Sequence, residues 1–108
     1  MWRNIGIVVQ TADAEQAWSA FRLANRALDE GHEVRVFLLS QGVLAGDLGE
    51  EPCNVNKQMR IFIANDGQLW ACGKCLALHE KEAGELCPFG GLKDLLELVE
   101  WADKLLTF

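Results

Sequence analysis

The chain has 108 residues, half of them apolar and about a quarter charged, the balance of an ordinary globular protein. That is less than the roughly 150 residues of an average domain, so one folded unit over residues 1–108 is expected, neither disordered nor fibrous. Sixteen acids against ten bases leave a net charge of −6 with the bases scattered, which argues against nucleic acid as a partner.

No apolar run approaches the ~20 residues needed to cross a bilayer, so no membrane span is expected. The amino end carries no basic segment followed by a long apolar region. A secretory signal is therefore not expected, and a cytoplasmic location is.

Residues 5–9 (IGIVV) form a near-continuous apolar run, which suits a strand buried on both faces of a parallel sheet. Asp13 can cap a helix, with Gln16 three residues on. Ala14, Ala17, Trp18, Phe21, Ala24 and Leu28 then recur at helical spacing until Gly31 stops the helix. Leu23 and Ala27 lie beside that stripe and serve either a subunit contact or a wider core face. Residues 34–39 (VRVFLL) read as a second buried strand, and residues 40–51, with three glycines, as a loop. Asn54 can cap a helix whose apolar face is Val55, Met59, Phe62 and Ile63, ended at Asn65-Asp66-Gly67. Residues 68–71 predict a short third strand that delivers Cys72. Residues 75–81 read as a short helix and residues 84–91 as a loop carrying Cys87-Pro88. Leu92, Leu95, Leu96, Val99 and Ala102 make a third helical stripe, and residues 104–108 (KLLTF) a closing strand. This alternation predicts an α/β fold, a three-layer α/β/α sandwich around a mostly parallel sheet of four to five strands. Sites in such sheets form beyond the carboxyl ends of the strands.

Four cysteines are present: Cys53, Cys72, Cys75 and Cys87. With no secretory signal and a core large enough to need no staples, reduced thiols are expected. Trp70-Ala71-Cys72-Gly73-Lys74-Cys75 places a C-x-x-C where a strand hands over to a helix. A helix start offers unpaired amide hydrogens and a positive partial charge, and both favour a thiolate. Lys74 adds a cation, and Gly73 lets the backbone approach without a side chain in the way. Cys75 lies about one helical turn on, within reach of the Cys72 sulfur. An isolated Cys53 reads as a small hydrophobe or a surface thiol; Cys87 falls between the two readings.

The rival to thiol chemistry is a metal site made of Cys72, Cys75 and Cys87, with His79 or Cys53 as the fourth ligand. A second ligand pair is missing, so neither a metal nor any other cofactor is expected. There is no G-x-G-x-x-G and no phosphate-binding loop; Gly90-Gly91 precedes a helix and could touch an anion, but a turn is the plainer reading. His32 reads as a strand-start residue. His79, on the helix after the thiols, is the better proton partner, although a solvated helix face is its plain reading. Trp70 is expected in core packing beside the thiols.

At these residues the chain resembles the DsrE/DsrF-like family of small sulfur-handling proteins. The opening IGIVVQTADAEQAW, the helix FRLANRALDEGHEV, VFLLSQGV, NVNKQM, WACGKC, ELCP and the closing ADKLLTF carry the likeness. The pairing of WACGKC with ELCP is its most specific element and points to a subgroup. The resemblance implies an α/β/α fold, assembly into a homotrimer or homohexamer, and sulfur relay. Under it, Cys72 accepts sulfane sulfur as a persulfide and passes it to a partner thiol; the residues at the helix start add Gly73 and Lys74 as the expected substrate contacts. The resemblance does not settle the roles of Cys75 and Cys87; from the residues themselves Cys75 would resolve the persulfide, or Cys87 if its loop folds over the site. Partners would be sulfur donor and acceptor proteins or small sulfur compounds. Two other readings stay open: a dithiol oxidoreductase using Cys72 and Cys75, and a cysteine-based metal-binding or structural oligomer.

Overall fold

In chain order, the computed structural model runs β1 (Asn4–Val9), α1 (Ala14–Asp29), β2 (Glu33–Leu38), a 3-10 helix (Ser40–Asp47), α2 (Val55–Ala64), β3 (Gln68–Cys72), α3 (Gly73–Leu78), β4 (Phe89–Gly90), α4 (Leu92–Trp101) and β5 (Lys104–Thr107). It describes residues 2–82, 84, 86 and 88–108. The strands form one sheet in the order β4-β3-β2-β1-β5, and every pairing is parallel. The chain steps outward from β1 to β4, then crosses back through α4 to lay β5 on the far side of β1. Right-handed crossovers then put α1 and α2 on one face and α4 on the other.

The strand residues divide accordingly. Ile7 and Val9 of β1, Val36 and Leu38 of β2, and Leu69 and Ala71 of β3 share one face by register. They are buried with Phe21, Met59 and Phe62 from α1 and α2. Phe21 and Phe62 meet edge to face with ring centroids 5.9 Å apart, which locks the two helices together. On the other face α4 sits close to β1. A Cβ added at Gly6 would stand 2.7 Å from Leu98 Cδ2 and 3.1 Å from Ala102 Cβ, so only glycine admits the helix there.

Local chemistry sets the helix boundaries. Asp13 Oδ2 accepts the Gln16 N–H at 2.9 Å, and Asn54 Oδ1 accepts the Lys57 N–H at 3.0 Å. Gly31 leaves α1 with φ +92°, a conformation glycine takes without steric cost.

Four features depart from the sequence reading. Residues 40–51 hold a 3-10 helix rather than only loop, because Leu39 N–H donates to the Val9 carbonyl at 2.9 Å and brings the segment against the end of β1. The short helix starts at Gly73 and ends at Leu78, two or three residues earlier than expected, because Cys72 itself caps it. A two-residue strand, β4, lies inside the expected loop. The core face of α4 is rotated from the expected stripe: Leu98 is buried, whereas Leu92, Leu96 and Val99 are exposed. Of the two residues beside the α1 stripe, Leu23 is exposed and Ala27 is buried.

Candidate functional site

Cys72 is the last residue of β3 and the N-cap of α3, so the strand end and the helix start share one side chain. Its Sγ accepts the Cys75 N–H at 3.4 Å, a sulfur in the place usually held by a serine or aspartate oxygen. The residue is 5% exposed. Cys75, one turn on, is half-buried, and its Sγ accepts the Ser40 N–H at 3.2 Å. Ser40 has φ 55°, left-handed backbone that a serine adopts only at a cost of order 1 kcal/mol or more. The register explains the meeting: Leu38 at the end of β2 pairs with Ala71, so the 3-10 helix begins beside the first turn of α3.

Cys72, Cys75 and Cys53 are free thiols. Burial pushes the Cys75 thiol above its ordinary range, and a hydrogen bond to Cys72 together with the Cys72 charge pushes the same way. The Ser40 amide works against that rise. Cys75 therefore holds its proton more firmly than an ordinary thiol does, with Cys72 as its near neighbour.

Gly73 and Lys74 lie directly beyond Cys72 and border a groove between α3 and the start of α4. Cys87 lies outside the described residues. Cys53 stands apart from the pair, just before the Asn54 cap. His79 ends α3, its backbone N–H donating to the Cys75 carbonyl at 3.1 Å and the Leu76 carbonyl at 3.2 Å. Among the described residues no contact joins its ring to either thiol. His32 Nδ1 accepts the Arg3 N–H at 3.0 Å, a structural role at the start of β2. Gly91 is the N-cap of α4, and its N–H donates to Asp94 Oδ2 at 2.8 Å. No three His, Cys, Asp or Glu among the described residues gather as a metal site. No helix of the described residues is long and apolar enough to cross a membrane.

Sequence reasoning brought Cys72 and Cys75 together but missed Ser40. Its only sequence signal is its place two residues beyond a buried strand, at the end of the sheet where sites form.

A family model described as the DsrE/DsrF-like family matches residues 3–108. Uncharacterized protein MK0008 of Methanopyrus kandleri is 32% identical over 100 residues, covering 87% of this chain and 83% of that protein. Uncharacterized protein MJ0989 of Methanocaldococcus jannaschii is 34% identical over 101 residues, covering 87% and 88%. Among solved structures, the ychN protein from E. coli superposes over all of both chains with a TM-score of 0.83 at 24% identity. BT1422 from Bacteroides thetaiotaomicron, described as a conserved protein of unknown function, has a TM-score of 0.76 at 13% identity, covering 98% of this chain and 95% of that one. At those identities the two structures speak for the fold.

Proposed function

The chain belongs to the DsrE/DsrF-like family, and from that membership and the geometry of its thiols we propose that it handles sulfur as a persulfide on Cys72. The family supports a sulfur-relay role in general. The observation that carries the finer reading is the Cys72 sulfur placed at a helix start and accepting a main-chain amide, with a proton-retaining thiol beside it.

The Cys72 thiolate attacks the terminal sulfane sulfur of a polysulfide. A bond forms between Cys72 Sγ and that sulfur, the sulfur–sulfur bond behind it breaks, and the shortened polysulfide leaves with the electron pair. The Cys75 amide, which donates to the Cys72 sulfur, favours the anionic persulfide. An acceptor thiolate then takes the outer sulfur and restores the Cys72 thiolate. Cys75, once deprotonated, attacks Cys72 Sγ in a second course: hydrosulfide leaves, a Cys72–Cys75 disulfide forms, and an external dithiol must reduce it.

A cytoplasmic setting and donor and acceptor partners belong to the same proposal, as does assembly into a homotrimer or homohexamer. Supporting assembly, Leu92, Leu96 and Val99 of α4 are 69%, 57% and 42% exposed at helical spacing.

The test is intact mass spectrometry after exposure to polysulfide. A gain of about 32 Da per sulfur, removed by dithiothreitol and missing in Cys72→Ser, is the expected result. A reversible Cys72–Cys75 disulfide with no sulfur gain would instead make the protein a dithiol oxidoreductase.

A further inference from the structure

A groove of about 470 Å³ starts at the residue after Cys72 and runs between α3 and the β4–α4 corner. Gly73, Gly90 and Gly91 give it a backbone floor, and Gly90 is the register partner of Cys72, so one end of the groove adjoins the backbone of that residue. Ala77 and the 69% exposed Phe89 supply apolar walls. Among the described residues its only ionic lining side chains are Lys74 and Lys81. Lys81 pairs with Asp47, whereas Lys74 has no ion-pair partner among the described residues. The Asp94 carboxylate of α4 accepts the Gly91 N–H.

This combination selects a ligand class. Among the described residues, one unpaired cation beside apolar walls with no lining carboxylate matches an anion on a short apolar stem. The Cys72 residue is only 5% exposed, so its sulfur is reached by something slender rather than by a broad protein surface. We infer that the groove binds a small mercaptocarboxylate, which serves as the acceptor of sulfur from Cys72. The inference rests on the persulfide reading and names its acceptor. The carboxylate sits at Lys74, the stem lies along Ala77 and Phe89, and the thiolate reaches the Cys72 persulfide.

The transfer balances without a co-reactant. The acceptor thiolate attacks the outer sulfur, forming a new sulfur–sulfur bond. The bond from that sulfur to Cys72 Sγ breaks, and the electron pair leaves as the Cys72 thiolate. The acceptor departs as an anionic perthiol, and nothing is oxidised or reduced overall.

Polysulfide-loaded, desalted protein is chased with 3-mercaptopropionate, 2-mercaptoethanol or cysteamine, and persulfide loss is followed by mass at matched thiolate concentration, each rate being divided by the same thiolate's rate with a small-molecule persulfide to remove intrinsic nucleophilicity. The protein's net charge of −6 repels anions, so a surface without a site gives cysteamine the fastest rate and mercaptopropionate the slowest. The expected result is the reverse: saturable, fastest transfer to mercaptopropionate. Lys74→Gln should cut the mercaptopropionate-to-mercaptoethanol rate ratio by about tenfold, the scale of one charge-assisted contact. A rate order that follows bulk charge, or a ratio that Lys74→Gln does not move, overturns the groove assignment. Wild type that never loads sulfur fails before the chase, and that failure counts against the persulfide reading instead.

Discussion

Gly42→Ala probes the link between the fold and the thiols most sharply. Gly42 lies in the 3-10 helix, pressed on the end of β1. A Cβ there would stand 1.9 Å from the Val9 carbonyl oxygen, 2.7 Å from its carbon and 3.2 Å from Gln10 N. A carbon and a carbonyl oxygen need about 3.3 Å, so the 3-10 helix must retreat by more than about 1 Å. The obstacles are main-chain atoms of a central strand and cannot rotate away. The retreat pulls Leu39 N–H from Val9 O, now at 2.9 Å, and Ser40 N–H from Cys75 Sγ, now at 3.2 Å. Overpacking costs about 1–3 kcal/mol and one lost main-chain hydrogen bond about 1, so the variant should lose about 2–4 kcal/mol. Urea unfolding should show a lower midpoint with an unchanged slope. The same sample should alkylate Cys75 more slowly near pH 8, because the amide that favours its thiolate has withdrawn. A wild-type midpoint together with wild-type Cys75 alkylation would refute this reasoning.

Two further outcomes follow from the packing and the thiols. The Cys75 thiol is raised in the folded protein, so its contribution to stability is full below the unfolded thiol range, about 8.5, and is lost as pH rises through the folded value. Urea midpoints at pH 7 and pH 10 should fall further in wild type than in Cys75→Ser; equal falls would remove the basis for that shift. Phe62→Ala removes a fully buried ring that packs edge to face on Phe21, and whose atoms lie within 2.5 Å of where a Gly67 Cβ would be. It should cost about 3–5 kcal/mol, and a loss under about 1 would mean the site collapses without a cavity.

Much of the fold was legible because its signals are local. Asp13 and Asn54 mark helix starts through hydrogen bonds to residues three positions on, and the runs at β1 and β2 mark buried strands without reference to anything distant. The α/β/α arrangement and the family resemblance both stand. The C-x-x-C was legible as a strand-to-helix junction for the same reason. What escaped depends on tertiary contact. The 3-10 helix is held by the Val9 carbonyl, more than thirty residues earlier in the chain, and a glycine-rich stretch gives no periodic hint of it. The left-handed Ser40 amide that meets Cys75 follows from that placement. Strand β4 is two residues long, too short for any alternation to register. In α4 a periodic apolar stripe was present, but periodicity does not say which face meets the sheet. Leu98 took the buried position because Gly6 opens space for it.

The claim that sulfur is carried on Cys72 is tested most directly at the peptide level. Wild-type protein loaded with polysulfide is alkylated, digested and sequenced by tandem mass spectrometry. The account predicts alkylated persulfide, about 32 Da heavier than alkylated thiol, on Cys72, with Cys53 carrying alkylated thiol. Persulfide on Cys53 or Cys75 with none on Cys72, or an unmodified chain, would contradict it.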